Sequence, residues 1–497
     1  MLMHISSLPG AHGIGDLGPA AFAFADWCAA AGMTIWQTLP VGPVGPGDSP
    51  YASTSSFAGE PLFVSLDVLR EEGLLTRADC APSGLPARSN EAVRYAAVRA
   101  FKTPRLMRAY DNWRARGGER RATYRAFVAR ESYWLPGWCR FACAGRGACK
   151  HPGFHAFVQW QFDRQWSALH RHCAKQGVLI LGDLPIFVPL KSADVQDNPR
   201  LFRLDSTGQP TVRTGVPPDC FSRTGQLWGH PHYRWAEHTR TKFAWWTARA
   251  LHALKRCDAL RIDHFVGLVH AYEIPGKDRT ARRGAWRSTP GLELLTALEH
   301  AYGRLPLVAE DLGAVTPRVT ALRERFGLPG MKLVHNAFYG PASYDLPCMH
   351  PKDCVAYAGT HDNNTTLGWW NGLKTAERAR FAEYAGIAVH AGKRGRASAS
   401  SGASTALAAS TASAASAAST GSATAKSVPA AMMRIVLQSP ARTAVLAMQD
   451  VLGLDQRARM NTPGRGTGQW RWRMPANALR PGDAASIRRL AEASARA

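Results

Sequence analysis

The feature that most constrains the fold is a repeated pair of patterns, a stretch with helical periodicity followed by a short apolar, β-branched run. In one example, four large side chains follow one another at spacings of 4, 3 and 4 residues and share one helix face: Phe162, Trp166, Leu169 and Cys173. Gly177 is placed to cap that helix, and the run VLILGDLPIF follows as a buried strand. Repetition of this unit is typical of a parallel sheet with helical connections.

Eight such apolar runs follow one another along the chain. Eight parallel strands with helical connections predict an α/β fold, a (β/α)8 TIM barrel, whose typical size is about 250 residues. The 497 residues therefore require large insertions between barrel strands, the largest at 47–150 between the second and third strands. The predicted strands are 1–8, 34–40, 178–187, 259–265, 307–312, 331–338, 355–362 and 445–452.

We expect residues 1–497 to form a single catalytic barrel, with 47–150 as an insertion subdomain. Only three residues precede His4, so either the first strand is short or the natural start lies upstream. Residues 391–427 are rich in Ala, Ser and Thr and almost lack large apolar side chains, which predicts a disordered loop because burial cannot offset the ordering entropy. The alanines leave a partly helical segment as the alternative.

The composition is that of a folded protein without a membrane span. A hydrophobic fraction of 45% and a charged fraction of 20% exclude a wholly disordered chain. No run of about 18 uncharged apolar residues occurs, and the N-terminal segment lacks the basic and apolar regions of a secretory signal. Ten scattered cysteines do not form a disulfide framework. We therefore expect a cytoplasmic protein, either a monomer or a weak homo-oligomer.

The chain is strongly basic, with a formal net charge of +24, and residues 91–150 carry fourteen Lys and Arg against four Asp and Glu. Such a segment is either an anion-binding face or a solvated surface. No nucleic-acid-binding motif accompanies it, so we expect no specific nucleic-acid partner. No HExxH, P-loop or strand-linked GxGxxG motif is present, and the sequence predicts neither a metal nor an organic cofactor.

Acidic residues lie near the ends of four predicted strands. They are Asp183 in GDLP, Asp263 in RIDH, Glu310 in AEDLG and Asp362 in GTHDN. Each one alone is often a helix cap or a turn residue, but four of them converge on one mouth of a barrel, where barrel enzymes carry out their chemistry. Arg261 lies two residues before Asp263, on the same strand face, and can orient a carboxylate.

Carboxylates crowded in one cleft raise the pKa of at least one of them, which yields the acid and carboxylate pair needed to cleave an acetal. His361 beside Asp362 either binds a substrate hydroxyl or is a structural histidine. Gln226 and Trp228 alternate as in a strand and border the same cleft. We expect the cleft-facing aromatic residues to be Tyr51, Trp228, Trp369 and Trp370.

With these residues in view, the chain resembles the 4-α-glucanotransferases of the amylomaltase type, glycoside hydrolase family 77. About 470 of the 497 residues are covered, and the combination of RIDHF, AEDLG and THDN is specific. Further shared motifs are WQTLPVGP, GDSPYASTSSFAGEP, GDLPIFV, GVPPDCFSRTGQLWG and QDVLGLDQRARMNTPG. The chain departs from the family pattern at Glu60, Cys220 and Val266, among other positions, which bears on acceptor preference and loop ordering.

The resemblance implies a retaining transfer of α-1,4-glucan segments, with maltooligosaccharides and α-1,4-glucans as donors and acceptors. Asp263 matches the nucleophile, Glu310 the general acid/base and Asp362 the third carboxylate, which favours the distorted sugar ring. The substrate-binding positions of the family correspond to Arg261, His361, Asp183, Gln226, Trp228 and Tyr51.

Three other functions are compatible with parts of the sequence. A hydrolase of α-glucans would use the same carboxylates with water as the acceptor. A catalytically silent glucan-binding barrel would have no need for all three carboxylates. A nucleic-acid binder is suggested only by the charge of +24.

Overall fold

The computed structural model describes residues 1–86, 91–145, 148–218, 222–313, 315–340, 345–387 and 427–496. The predicted disordered loop at 391–427 lies outside these residues, apart from Ser427, which begins a helix. None of the helices in the described part of the chain is long and apolar enough to cross a membrane.

Eleven strands occur in the described residues. In chain order they are β1 (Ile35–Gln37), β2 (Leu179–Pro185), β3 (Val212–Val216), β4 (Gln226–Pro231), β5 (Ala259–Asp263), β6 (His270–Pro275), β7 (Ala285–Ser288), β8 (Leu307–Ala309), β9 (Gly330–Leu333), β10 (Cys354–Tyr357) and β11 (Thr443–Val445).

A closed parallel barrel is formed by seven of these strands and the N-terminal segment. Strands β1, β2, β5 and β8 are hydrogen-bonded in that order, as are β9, β10 and β11. Leu2 forms parallel bridges to Gln37 and to Ala447, which joins the two groups on one side. On the other side, Ala309 N donates to Pro329 O at 2.9 Å. Eight segments therefore surround the axis, as the sequence predicts.

A second sheet lies within the connections that follow two barrel strands. Strands β4, β3, β6 and β7 pair antiparallel in that order. Strands β3 and β4 fall between β2 and β5, whereas β6 and β7 fall between β5 and β8. Because these are the loops at the carboxyl ends of the barrel strands, this sheet belongs to the mouth where barrel enzymes bind their substrates.

The helices of the described residues are α1 (Pro19–Ala30), α2 (Leu66–Glu71), α3 (Tyr95–Ala115), α4 (Ala122–Arg130), α5 (Leu135–Ala144), α6 (Pro152–Lys175), α7 (Ala193–Asp197), α8 (Trp235–Arg240), α9 (Ala244–Leu254), α10 (Gly291–Tyr302), α11 (Pro317–Arg325), α12 (Thr366–Gly372), α13 (Thr375–Ala385), α14 (Ser427–Leu437), α15 (Met448–Val451) and α16 (Pro481–Glu492).

Helix α6 illustrates how local sequence sets these boundaries. It begins with Pro152, whose missing N–H would have no helical partner, and His151 Nδ1 accepts a hydrogen bond from Gly153 N at 3.1 Å. It ends before Gly177, whose φ of +70° lies in the left-handed region that favours glycine. All four residues of the predicted helix face, Phe162, Trp166, Leu169 and Cys173, are buried.

All eight predicted strands coincide with barrel segments, but most extend too far at their carboxyl ends. The seventh ends at Tyr357 instead of at 362, because Thr360 and Asn363 hydrogen-bond to each other in place of a neighbouring strand. The first is shorter than predicted, since only Leu2 forms bridges and Ile5–Ser7 is a 3-10 helix. The division into one catalytic barrel with an insertion subdomain at 47–150 stays a prediction.

A buried ion pair attaches the long connection between β1 and β2 to the loop that follows the N-terminal segment. Lys102 of α3 is wholly buried, and its Nζ donates to Asp16 Oδ2 at 3.0 Å and to Leu62 O at 2.7 Å. Burial acts to raise the pKa of Asp16, but Lys102 and His12 outweigh it and lower this pKa to about 2. The pair therefore holds the two parts of the chain together through a fully ionised carboxylate.

We predict that Lys102→Met lowers the free energy of unfolding by about 3 kcal/mol, because it leaves the Asp16 carboxylate buried without its cation. Arg108→Met is the matched control, since Arg108 pairs with Asp79 but is 65% exposed, and surface pairs contribute about 0–1 kcal/mol. Urea unfolding followed by tryptophan fluorescence measures both. Equal losses in the two variants would contradict the prediction.

Candidate active site

The centre of the site is a buried guanidinium between two carboxylates. Parallel pairing of β2 with β5 sets Asp183 opposite Arg261. Arg261 Nη1 donates to Asp183 Oδ1 and Oδ2 at 2.9 and 2.8 Å, and to Asp263 Oδ1 at 3.1 Å. The Asp183 side chain is 0% exposed and that of Asp263 is 28% exposed. Asp263 therefore faces the cleft, whereas Asp183 lies behind Arg261.

Tyr51 lies in the loop after β1 and contacts the cluster formed by Arg261 and its two carboxylates. It lies in a 3-10 helix, Pro50–Ala52, whose N-cap Ser49 accepts a hydrogen bond from Tyr51 N at 3.3 Å. The Tyr51 hydroxyl donates to Asp183 Oδ2 at 2.7 Å. Its ring stacks on His361, with centroids 4.9 Å apart, and lies beside Trp470. Burial and the neighbouring carboxylates raise the pKa of Tyr51 well above its usual value, so the hydroxyl remains a donor.

Glu310 is the first residue after β8. Its Oε2 accepts a hydrogen bond from His264 N at 2.6 Å, and His264 has a left-handed φ of +54°, a conformation that is uncommon outside glycine. Burial raises the pKa of Glu310 to about 8; Arg261 opposes this shift and the charge of Asp263 adds to it. Glu310 therefore carries a proton at neutral pH.

Asp362 lies in the loop after β10, and its side chain is 44% exposed. Asn461 Nδ2 donates to Asp362 Oδ1 at 2.6 Å, and His361 Nε2 lies 3.5 Å from the same oxygen. Burial lowers the pKa of His361, although the nearby Asp362 acts against this shift. The His361 ring is therefore neutral near pH 7 and can both donate and accept hydrogen bonds.

Gln226 and Trp228 lie on β4, in the antiparallel sheet at the barrel mouth. Trp228 Nε1 donates to Gln226 Oε1 at 3.2 Å. The Trp228 ring meets the His264 ring edge to face, with centroids 4.8 Å apart. Because the His264 backbone binds Glu310, these contacts bring β4 to the carboxylates. All nine predicted site residues thus belong to one connected set.

The structure corrects two of the predicted aromatic residues. Trp369 and Trp370 are buried in α12 and do not face the cleft. Trp369 stacks on His335, with centroids 4.6 Å apart, and packs against Phe381. Both residues belong to a helix that begins directly after THDNN, with Thr365 as its N-cap, so the motif is followed by a buried helix and not by a cleft loop.

Three further residues of the site were not predicted from the sequence. His264 directly follows Asp263 in RIDHF, so its position in the sequence already indicates that it lies near the site. Asn461 binds Asp362 and Trp470 lies beside His361, in each case about a hundred residues later in the chain, and no spacing rule connects such distant residues.

Two of the departures from the family pattern, Glu60 and Val266, are buried residues. Glu60 is buried in the connection between β1 and β2, where its oxygens accept hydrogen bonds from Val44 N and Leu62 N at 2.7 and 3.0 Å. Val266 is 2% exposed, in a 3-10 helix, Phe265–Leu268. Cys220 lies outside the described residues.

A cavity of about 80 Å³ borders both Tyr51 and Asp183, so a few water molecules fit beside the buried face of the cluster. In the part of the chain that the structure describes, no three His, Cys, Asp or Glu side chains form a group that could hold a metal ion.

A closed (β/α)8 barrel with carboxylates gathered at the carboxyl ends of its strands defines the class of barrel enzymes. The sequence profile described as 4-alpha-glucanotransferase, that of glycoside hydrolase family 77, matches residues 3–151 and 143–478. The chain therefore belongs to this family of glycosyltransferases, which confirms the resemblance seen in the sequence.

Individual relatives agree over the whole length. The 4-alpha-glucanotransferase of Thermus thermophilus is 38% identical, over 100% of this chain and 98% of that protein. The enzyme of the same name from Aquifex aeolicus is 36% identical, over 95% and 94%. The solved structure of amylomaltase from Streptococcus agalactiae in complex with acarbose matches with a TM-score of 0.87 at 30% identity, and covers 100% of this chain and 99% of that one.

We predict that Arg261→Met destabilises the protein by roughly 3–5 kcal/mol, because the buried carboxyl group of Asp183 loses its cation and hydrogen-bond donor. Adding Asp183→Asn to the same chain should restore part of this loss, since an amide needs no cation. Urea unfolding of both single variants and of the double variant measures the coupling. Strictly additive losses would contradict the proposed dependence of Asp183 on Arg261.

Proposed function

We propose that this enzyme moves a segment of a (1→4)-α-D-glucan to the 4-hydroxyl of glucose or of another glucan, through a covalent glucosyl–Asp263 intermediate. The observation that carries the proposal is the contrast between two neighbouring carboxyl groups. Asp263 is bound by the Arg261 guanidinium, whereas burial keeps Glu310 protonated at neutral pH. Such a pair can attack and protonate an acetal at the same time.

In the first step, a carboxylate oxygen of Asp263 attacks the anomeric carbon. The glycosidic C–O bond breaks as Glu310 transfers its proton to the leaving oxygen, and the free 4-hydroxyl end of the glucan departs. A retaining pair has its carboxyl groups about 5–5.5 Å apart, and we expect this separation for Asp263 and Glu310.

In the second step, Glu310 is ionised and removes the proton from the 4-hydroxyl of the acceptor. The acceptor oxygen attacks the anomeric carbon, the bond to Asp263 breaks, and the configuration is retained overall. Asp362, whose side chain is 44% exposed, binds sugar hydroxyls and stabilises the positive charge that develops on the distorted ring.

The remaining residues bind and orient the substrate. Trp228 offers an aromatic face to a sugar ring, and Gln226 and His361 offer hydrogen-bonding groups. The Asp183 side chain is 0% exposed, so we propose that it acts by orienting Arg261 and Tyr51 without touching the sugar. Transfer instead of hydrolysis requires that the acceptor reach the intermediate before water does.

Incubation of the pure enzyme with maltotriose tests the proposal. We expect glucose and a ladder of longer maltodextrins, with the total number of reducing ends constant, because each cleavage is matched by a new bond. A rise in reducing ends without the ladder would identify a hydrolase. No change in any product would point to a glucan-binding barrel without catalysis.

We predict that Asp263→Asn lowers the rate of disproportionation by roughly three orders of magnitude or more, because the amide cannot form the covalent intermediate. Asp353→Asn is the control, since Asp353 is 73% exposed and pairs only with Arg442 among its described contacts. Circular dichroism and the melting temperature verify the fold of both variants. Substantial activity in Asp263→Asn would remove Asp263 as the nucleophile.

The pH dependence reports the protonation of Glu310. Since burial raises its pKa to about 8, the acid form is present below that pH and is lost above it. We therefore expect kcat/KM for maltotriose to fall as the pH rises through about 8, and to approach a tenfold loss per pH unit. A kcat/KM that stays constant to pH 9 would argue against Glu310 as the general acid.

A further inference from the structure

Asp362 is held in a different way from the other carboxylates of the site. Asp183 and Asp263 bind the guanidinium of Arg261, and Glu310 binds a backbone N–H. The Asp362 carboxylate accepts a hydrogen bond from a neutral amide, Asn461 Nδ2, at 2.6 Å and across 99 residues of sequence. The titratable and charged groups beside it are His361, whose Nε2 lies 3.5 Å from the same oxygen, and Arg459. The position of the Asp362 carboxylate therefore depends on the segment around Asn461, near the C-terminal end of the chain.

That segment is itself firmly attached to the loop of Asp362. Asn461 N donates to His361 O at 3.1 Å. Arg459 Nη2 donates to Asp362 O at 2.5 Å, and Arg459 Nε donates to Asn461 O at 2.6 Å. The guanidinium of Arg459 thus binds the backbone carbonyls of both Asp362 and Asn461. It therefore holds the two segments together and fixes the backbone from which the Asn461 side chain reaches Asp362.

The chemistry of the contact sets the orientation of both groups. An ionised carboxylate only accepts hydrogen bonds, so the amide nitrogen of Asn461 must face it. A donor directed at the charged form favours that form. Since Oδ1 of Asp362 is engaged by Asn461, we expect Oδ2 to be the oxygen that binds a sugar hydroxyl.

We propose that Asn461 is a positioning residue for Asp362 in the transfer reaction: its amide fixes the rotation of the carboxylate and stabilises its charge. The inference rests on the proposed role of Asp362 and extends it to a residue that acts through it. Because Asp362 stabilises charge that develops in the transition state, loss of the amide should affect kcat more than KM.

Two substitutions separate this role from a purely structural one. Asn461→Ala removes the donor and keeps both backbone hydrogen bonds; we expect kcat for maltotriose to fall about tenfold, with a smaller change in KM. Asn461→Asp keeps the shape and adds a carboxyl group beside Asp362. Two carboxyl groups this close share one proton and repel each other once both are ionised.

For Asn461→Asp we therefore expect a pH-dependent defect. The kcat of this variant, divided by that of the parent enzyme, should be highest near pH 5, where the introduced group still carries a proton it can donate. The ratio should fall about tenfold towards pH 8 as that proton is lost. Asn477→Asp is the matched control, because Asn477 is exposed, and its ratio should stay near one at every pH.

Asp362→Asn distinguishes failure of this inference from failure of the proposed function. If Asp362→Asn is inactive while both Asn461 variants keep the kcat and pH profile of the parent, only the positioning role is wrong. If Asp362→Asn keeps full activity, the role of Asp362 is wrong and that of Asn461 with it. A ratio for Asn461→Asp that is low but independent of pH would also overturn the inference, since it indicates a structural defect.

Discussion

The arrangement of the site depends on the buried guanidinium of Arg261. Removing a cation from water costs several kcal/mol unless carboxylates of good geometry surround it. Here the register of β2 and β5 supplies Asp183, and Asp263 follows on the same strand as Arg261. The Tyr51 hydroxyl binds Asp183 in turn. The orientations of Asp263 and Tyr51 therefore follow from the need to compensate one charge.

The carboxyl groups at the mouth differ because their surroundings differ. Asp183 is enclosed, and burial raises its pKa to about 7 although Arg261 and Tyr51 donate to it and oppose the shift. Glu310 is also buried and accepts a hydrogen bond from a backbone N–H, and its pKa rises to about 8. Asp362 is open to the cleft and held by the amide of Asn461. Asp263 binds Arg261 and is 28% exposed. These differences suit the orienting, attacking, protonating and charge-stabilising roles that we propose for the four groups.

Much of the fold was predictable because the information is local. The apolar runs and the helical spacing between them gave all eight barrel segments in the right order. The predicted strands extend several residues beyond the observed carboxyl ends, since loop residues such as Thr360 and Asn363 bind each other. At the site, the four acidic residues are predicted from their positions near strand ends and Arg261 from its alternation with Asp263, and their roles stay predictions. Trp369 was misplaced because one motif cannot distinguish a cleft residue from a buried helix start.

The sequence by itself determined the order of strands and helices, the acidic residues near the strand ends and the family, because each follows from neighbouring residues or from motifs. Only the tertiary structure decided which carboxyl groups are buried and have a raised pKa, and which is open to the cleft, because burial depends on the surrounding elements. It alone also brought Asn461 to Asp362 across 99 residues, since that contact exists only after the barrel has closed.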